Sequence, residues 1–574
     1  MDQLRNEARQ ALQNDPNNLP DLLPSAMSVD GDLHQLWQNV SQYDNSTYFN
    51  ACESLLTALN FVEGSFHMLL PEDEEMRQLE GDEAQTVINL SKWASSLALP
   101  SSEFASSFDD TIKVTEAQEE CRVKGNLAIE LLHLLSAKIN PCLNDREISQ
   151  SPDVIMAMAT FATKQDPWTI DDTMATASSH LSGAGQRGGL WTIIEAILKD
   201  KIRPLFTKQR NPKITSEGRK NFHPVPLARF DGSLLDDSTR PWKNTDIYAT
   251  SVLSWIISQY KATDKIHLES HFPLIVPAIL SLIDDSNISF KTQGCHLLTQ
   301  ILKPIRESGS DILIRTNLFS VFEEAITPCL LSLPTITPEP DSFKILGAAY
   351  PVLIALLEVT YKTHLPRTPQ LQVKKDKENF NTSLAKILRS NLISSFNHIS
   401  SSSSISGSNA SFPHPRLSTF LMTTICGVLN KLGIETLKYL QDIIPVLQIT
   451  LSNPFGTAHP PLLSAAVSTT RAVILNAHPR VWKWRGELLA ALCACWLQVS
   501  AESKEKGTKL DEVSKQLWIT VSVLKYALQN PVAVNNGTLD PDQVYAKEHM
   551  HAQLKELVDA DPQLERLLCR DATP

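Results

Sequence analysis

Long apolar runs and a leader segment are both lacking in this chain of 574 residues. No apolar run reaches the roughly 20 residues that span a bilayer, so we do not expect a membrane-spanning protein. Residues 1–7 include acidic side chains and lead into no apolar segment, which argues against a secretory signal or a transit peptide. We therefore expect a cytoplasmic and nuclear protein.

Positive charge and cysteine are also scarce. Lys and Arg number 52 against 64 Asp and Glu, and this net charge of −12 disfavours direct binding of nucleic acid. The nine cysteines are an odd number and mostly lie in apolar runs, as Cys295 and Cys329 do, which predicts reduced core residues. Cys493 and Cys495 are two residues apart on a predicted helix, so their side chains would point to different faces. The paired cysteines of a C-x-x-C metal site would not.

Motifs for catalysis or cofactor binding are few, and each lacks its context. Gly183–Gly188 matches G-x-G-x-x-G and is interpreted as opening a helix, but no buried strand precedes it, so a dinucleotide-binding enzyme is only a distant alternative. His267 and His271 have a possible ligand spacing, but Pro273 predicts that a helix begins after them, and no third ligand is near. We expect no enzyme, no cofactor and no metal site.

Helical periodicity, punctuated by proline and polar turns, is what the sequence does contain. Between His271 and Leu302 it predicts two short amphipathic helices, the first opening at Pro273 and the second following a polar turn at 284–287. The apolar stripes consist of Ile275, Val276, Ile279, Leu280 and Ile283, then Phe290, Gly294, Leu297, Leu298, Ile301 and Leu302. Two such helices cannot bury their stripes alone, so they need stacked neighbours.

Similar proline-containing apolar segments recur along the chain. Pro277 and Pro328 are 51 residues apart, and Pro445 lies 117 residues further on. The first distance is somewhat above the roughly 40–47 residues of a HEAT or armadillo repeat, and the second leaves room for two repeats and an insertion. A proline inside a first helix would bend it, as is common in HEAT units. The sequence therefore predicts an all-α fold, an α-solenoid of irregular HEAT/armadillo-like helical repeats.

Composition shifts divide the chain into four predicted regions. They are an N-terminal helical region at 1–206, a proline-punctuated junction at 207–246, a HEAT-like repeat region at 247–530 and an acidic C-terminal segment at 531–574. Within the repeat region, loops are predicted at 365–379 and 400–415. Individual helices are predicted at Tyr48–Phe66, Ala117–Lys138, Leu190–Phe206 and Asp540–Leu568.

One aromatic and basic cluster is a candidate for partner binding. Trp482, Lys483, Trp484 and Arg485 interleave aromatic rings with positive charge, a composition that suits protein hot spots and also base stacking. Apolar residues spaced by four from Trp484 to Trp496 indicate that part of the cluster packs as helix core. We take Trp482, Lys483 and Arg485 as the candidate partner-binding residues.

Several short segments occur in a characteristic order along the chain. They are Arg187–Trp191, Ile202–Phe206, Gly218-Arg219, Arg240–Lys243, the His271–Leu298 repeat, Leu333–Glu339, Trp484–Leu488 and Leu492–Trp496. In this order and combination, over roughly residues 187–500, they resemble the Tti-two family of Tel-two-interacting proteins.

The resemblance implies a non-enzymatic α-solenoid subunit of the triple-T complex, with Tel-two-like and Tti-one-like HEAT proteins as its partners. That assembly works with the Hsp-ninety chaperone system in the maturation of phosphatidylinositol-kinase-related protein kinases, including TOR and the DNA-damage checkpoint kinases. The family has no catalytic residues to carry over. A generic HEAT-repeat scaffold or a transport adaptor stays open as an alternative, because composition alone allows either.

Overall fold

Helices form most of the chain that the computed structural model describes. The described residues are 1–14, 32–69, 79, 81–108, 115–143, 148–186, 189–207, 211–215, 217–224, 240–361, 370–401, 412–506, 508–532 and 541–569. Within these ranges no β-strand forms, and extended pairing is limited to two isolated bridges, Leu79 with Leu143 and Ile214 with Lys220. The predicted all-α fold is confirmed.

Two compact units divide the chain, Met1–Ala325 and Ile326–Pro574. The helices that build the first unit are α1 Asp2–Asn14, α2 Leu33–Gln42, α3 Tyr48–Leu69, α4 Asp82–Ala98, α5 Glu116–Leu134, α6 Pro152–Thr160, α7 Asp171–Gln186, α8 Leu190–Ala196, α9 Arg203–Thr207, α10 Pro241–Asn244, α11 Ala249–Gln259, α12 Lys265–Ile283, α13 Ile288–Glu307, α14 Ile312–Arg315 and α15 Leu318–Ile326. The division falls at the C-terminal end of α15, inside the region that the sequence treats as one array. The four predicted regions stay a prediction.

The second unit is also built from helices. Its helices are α16 Glu339–Thr360, α17 Gln370–Lys386, α18 Ser394–Ser401, α19 Pro415–Leu432, α20 Leu440–Leu451, α21 Pro460–Asn476, α22 Arg485–Lys506, α23 Thr508–Gln529, α24 Pro541–Ala560 and α25 Glu565–Leu568. Wider π-helical turns extend α5, α8 and α17 over Leu135–Ile139, Ile197–Ile202 and Ile387–Ile393. With these turns included, the helical segments predicted at Tyr48–Phe66, Ala117–Lys138 and Leu190–Phe206 are confirmed. The helix predicted at Asp540–Leu568 is interrupted at Asp561, which separates α24 from a 3₁₀ turn and α25, and Asp540 lies outside the described residues.

Local sequence signals set several helix starts. Thr115 and Gln118 form a capping box at the start of α5, in which each side chain accepts a hydrogen bond from the backbone N–H of the other. Asn287 caps α13, because its Oδ1 accepts from the Ser289 N–H at 2.8 Å. The polar turn predicted between α12 and α13 is therefore confirmed and has a defined geometry.

The prolines do not all act as the sequence predicts. Helix α12 begins at Lys265 and contains both Pro273 and Pro277, so the prediction that it opens at Pro273 is wrong. Leu268 and Phe272 explain the earlier start, since both are 0% exposed. Their burial contributes roughly 3–6 kcal/mol, enough to offset the roughly 3 kcal/mol that an internal proline costs.

Hydrogen bonds between neighbouring repeats reveal the length of the repeat. Donors and acceptors 45 to 47 residues apart meet in both units. These pairs are Thr173 with Asn126, Thr176 with Glu130, Thr457 with Glu502, Arg471 with Gln516 and Asn476 with Asn430. Neighbouring repeats stack side by side, so each residue meets its counterpart one repeat away. The period matches a HEAT or armadillo repeat and confirms the α-solenoid class.

One predicted loop is partly helical. Residues 370–379 belong to α17, so the predicted loop at 365–379 is wrong there, while 365–369 lies outside the described residues. Phe380 and Leu384 are buried further along α17, and the charged turns before them continue the same helix into solvent. Within the second predicted loop, 402–411 also lies outside the described residues.

Three helical segments are long and apolar enough to cross a membrane by length and composition, contrary to the absence of such a run inferred from sequence. They are Ala262–Ile283, Glu339–Thr360 and Pro415–Leu451. In the fold, 56%, 61% and 44% of their most apolar windows are buried. Helices covered on more than one side by neighbours in a layered array need such a composition.

Candidate functional site

The glycine motif at 183–188 closes a helix instead of opening one. Gly183 and Gly185 lie in the last turns of α7, and α8 begins only after Gly189, whose φ of +82° lies in the left-handed region that favours glycine. A helix thus precedes the motif where a dinucleotide site requires a buried strand. The prediction that the motif opens a helix is wrong, and Arg187 and Gly188 lie outside the described residues.

Trp191, from the first segment of the family resemblance, packs in an aromatic cluster with α12. Its ring stacks on Tyr260 and on His267, with centroids 5.1 and 4.9 Å apart. The Tyr260 hydroxyl lies 2.8 Å from His271 Nδ1. Burial lowers the pKa of His271 and raises that of Tyr260, so a neutral imidazole and a neutral phenol share this hydrogen bond.

The same cluster corrects the interpretation of the two histidines. His267 and His271 both lie on α12, one turn apart, and do not precede a helix start. Their ring centroids are 6.1 Å apart. No group of three or more metal-ligating side chains occurs among the described residues. The histidines therefore act as aromatic packing partners of Trp191.

A buried ion-pair cluster holds the turn between α12 and α13. The Asp285 side chain is 1% exposed, and its carboxylate lies 3.0 Å from Arg240 Nη1 and 3.2 Å from Lys243 Nζ. Asp285 Oδ1 also accepts the Asn287 N–H at 2.7 Å. A buried carboxylate without such partners would cost several kcal/mol. Arg240 and Lys243 therefore have a structural role.

Two further residues of the family segments also act in packing. Trp242 is 1% exposed, stacks on Phe206 at 5.3 Å and meets Phe290 edge-on at 5.2 Å. Gly218 has a φ of +63°, and a Cβ there would lie 2.7 Å from the Cα of Pro273. Only glycine fits against the proline-containing stretch of α12 at this point. The most distinctive residues of the chain thus hold its helices together.

The predicted partner-binding cluster is partly buried. Val481–Trp484 form a 3₁₀ turn before α22, and Trp482 is only 7% exposed, so the expectation that a partner could reach this candidate binding residue at the surface is wrong. Lys483 is exposed, with its Nζ 5.2 Å from the centre of the Trp482 ring. Arg485 Nη1 donates to the Trp482 carbonyl at 2.9 Å. The turn thus places one positive charge, that of Lys483, over a buried aromatic ring, and a second, that of Arg485, at the Trp482 carbonyl.

The helix that follows packs as the sequence predicts. Leu488 and Leu492 are 1% and 0% exposed, and Trp496 Nε1 donates to the Gln563 carbonyl at 3.1 Å, which joins α22 to the C-terminal segment. Burial raises the pKa of Cys493 to about 11 and that of Cys495 to about 12. Both thiols are therefore protonated core groups, consistent with the predicted reduced state.

Exposed apolar side chains beside this turn are what sequence reasoning missed. Leu475 in the last turn of α21 is 58% exposed, and Tyr526 in the last turn of α23 is 69% exposed. Both belong to helices whose apolar pattern predicts burial. Their exposure depends on where the neighbouring helix ends, and a single helix pattern does not contain that information. An apolar residue in a final helical turn is the only signal in the sequence.

The most distinctive residues of this repeat array pack its helices together. Such an array has the architecture of an interaction scaffold. The Tti2 family model matches residues 154–458, just over half of the chain. The chain belongs to the Tti2 family, which agrees with the resemblance found in the sequence. Membership implies a subunit of the triple-T co-chaperone, and this family and the HEAT-repeat fold are generally non-catalytic scaffolds.

Two solved structures show a weak similarity to this chain. Crystal structures of two mutants of Kap121p match 92% of this chain at 10% and 11% sequence identity, both with a TM-score of 0.29. The chain spans 52% of the length of those chains. A similarity at this level carries no conclusion about function.

Proposed function

We propose that this protein is the Tti2-type subunit of a triple-T-like complex that supports Hsp-ninety-dependent maturation and stability of phosphatidylinositol-kinase-related kinases. Its direct partners would be Tel-two-like and Tti-one-like HEAT proteins, and the chaperone and the kinases would be reached through the complex. The observation that carries the proposal is the family match over residues 154–458. We further propose that it acts in the cytoplasm and nucleus, without direct contact to nucleic acid or membrane.

The proposed role needs surfaces and no reacting groups. A helical array exposes successive helix faces, so different partners can bind to different repeats of one chain. The ion pairs of Asp285 and the stacking of Trp242 support this proposal indirectly, because they account for the most distinctive side chains without a substrate. The catalytic activity would be that of the client kinases.

Depletion of the protein tests the proposal in cells. We expect several related kinases to fall in protein level while their transcripts stay constant, because incompletely matured chains are removed by proteolysis. Quantitative immunoblots and transcript measurements in the same cells would show this, and re-expression of the full chain should restore the kinases. Unchanged kinase levels after full depletion would contradict the co-chaperone role and leave a generic scaffold.

A further inference from the structure

Helices α19 and α21 run parallel in the second unit and end at the same edge. Thr469 Oγ1 donates to the Met422 carbonyl at 3.2 Å, and Asn476 Nδ2 donates to Asn430 Oδ1 at 3.0 Å. The partners are 47 and 46 residues apart, so position along one helix rises with position along the other. The turns that follow the two helices therefore lie side by side.

Helix α23 extends this arrangement by one repeat. Arg471 Nη1 donates to Gln516 Oε1 at 2.6 Å, again across 45 residues, and this bond joins α21 to α23. Ile434, Leu475 and Tyr526 stand at or just beyond the ends of the three helices and are 51%, 58% and 69% exposed. One such residue is ordinary, whereas three near the C-terminal ends of stacked helices expose apolar surface in each of three successive repeats.

Positive charge concentrates on the middle turn of that edge. Arg480 and Lys483 are exposed and Arg485 is half-buried, and none of the ion pairs among the described residues involves them. Glu487 is the only acidic residue between Leu475 and Ala490. The whole chain has a net charge of −12, whereas this turn carries an excess of positive charge, so the turn attracts carboxylates.

We propose that this edge docks an acidic segment of a partner protein. Its carboxylates pair with Arg480, Lys483 and Arg485, and an apolar side chain of the same segment packs on Leu475 and Tyr526. The cations lie on and beside a 3₁₀ turn, where the rise of about 2 Å per residue places them within roughly 10 Å, so they match a short stretch of chain. An extended anionic surface, such as a membrane, would meet repulsion from the chain's overall negative charge.

The docking surface adds to the proposed function because it gives the chemistry of one partner. It rests on the proposed function only in so far as that function says which complex the partner belongs to. The Trp482 ring beneath Lys483 adds to the surface without being exposed, since a cation over a ring face is held in place. The Trp482 carbonyl likewise fixes the guanidinium of Arg485. Two of the three cations are therefore oriented before a partner arrives, which lowers the entropy cost of docking.

Charge reversal with a matched control tests the surface. R480E/K483E in the tagged full chain should reduce each partner that docks here by about tenfold in a purification from its own cells, because like charges would face each other. K303E/K515E is the control, since Lys303 and Lys515 are also exposed and the change in net charge is the same. Thermal melting of both variants checks the fold. Equal recovery of all partners with both variants would overturn the proposal.

Zero-length cross-linking identifies the chemistry of the occupant. A carbodiimide couples a lysine amine to a carboxylate in direct contact, so Lys483 in the purified complex should link to Asp or Glu within an acidic segment. Peptide mass spectrometry reads out the linked pair, and K483R should abolish it while complex formation continues. Absence of any Lys483 link, or a link into a segment of net positive charge, would overturn the proposal.

Two further probes separate this surface from other anions and from the proposed function. Phosphatidylserine vesicles and a single-stranded oligonucleotide should bind the wild-type chain and R480E/K483E equally weakly, and a loss of strong binding specific to R480E/K483E would overturn the choice of a protein partner. Normal kinase levels after depletion, combined with loss of a partner in R480E/K483E, would reject only the co-chaperone role. The reverse outcome would reject only the surface.

Discussion

Asp166 shows how far burial can change a single group. Burial raises the pKa of its carboxyl to about 7, and the nearby Ser251 hydroxyl offsets only part of that effect. One carboxylate oxygen, Oδ2, is buried without a hydrogen-bond partner. Because the folded pKa lies above the unfolded one, the folded protein keeps a proton that the unfolded chain loses between about pH 4 and pH 7. Stability therefore falls as the pH rises through that window and stays low above it.

Replacing this carboxyl by an amide should remove the effect. D166N should raise the free energy of unfolding at pH 8 by about 1–3 kcal/mol, and should change it little near pH 3, where the carboxyl is mostly protonated in both states. Urea unfolding at the two pH values measures the difference. D172N is the control, because Asp172 is exposed. A gain of the same size at both pH values, or the same gain in D172N, would contradict the assignment.

At the scale of single elements, sequence patterns predicted where helices exist better than where they begin. The stripes of α12 and α13 and the capped turn between them follow from spacing and composition. The start of α12 does not, because it depends on the burial of Leu268 and Phe272 against neighbours that the local pattern does not specify. The burial of Trp482 was not predicted for the same reason, since a turn residue beside a cation has the same local sequence whether it is buried or exposed.

Gly218 allows a prediction about one contact between elements. G218A should lower the free energy of unfolding by about 2–4 kcal/mol, because the residue would need a left-handed conformation and its Cβ would meet the Pro273 backbone at 2.7 Å. G347A is the same substitution inside α16, where nothing lies within 4 Å, and should stabilise by about 0.5–1 kcal/mol. Denaturant unfolding of both variants measures the two signs. Equal effects would contradict the role of Gly218 as a close-packing residue.

At the scale of the whole molecule, the solenoid class could be predicted, but the division into two units could not. Repeat arrays are held by contacts between neighbours, and such contacts recur at one sequence period wherever the array continues. A division appears where fewer contacts cross, and that depends on packing that no single repeat specifies. The period of 45 to 47 residues could not be read from the proline spacing in the sequence. Pro277 lies inside α12 whereas Pro328 opens a 3₁₀ turn, so the two prolines are not equivalent positions of a repeat.

Packing between neighbouring repeats also predicts which helices a destabilising core substitution affects. Leu517 in α23 is 0% exposed, and L517A should cost about 2–5 kcal/mol. Amide hydrogen exchange should rise in α23 and in adjacent α21, and little in α16, which lies several repeats away. K515A, on an exposed face of the same helix, is the control. A uniform rise across the second unit would show that it unfolds as one cooperative block instead.

The hydrogen bonds between Thr173 and Asn126, and between Asn476 and Asn430, also limit how this chain can change in length. Each residue of an α-helix advances about 100° around the axis, so one inserted residue inside a helix would turn every later side chain of that helix away from its counterpart. The same insertion in a turn leaves both helices in register. Changes in length between related chains should therefore collect in the turns, and the helices should keep their lengths even where their sequences diverge.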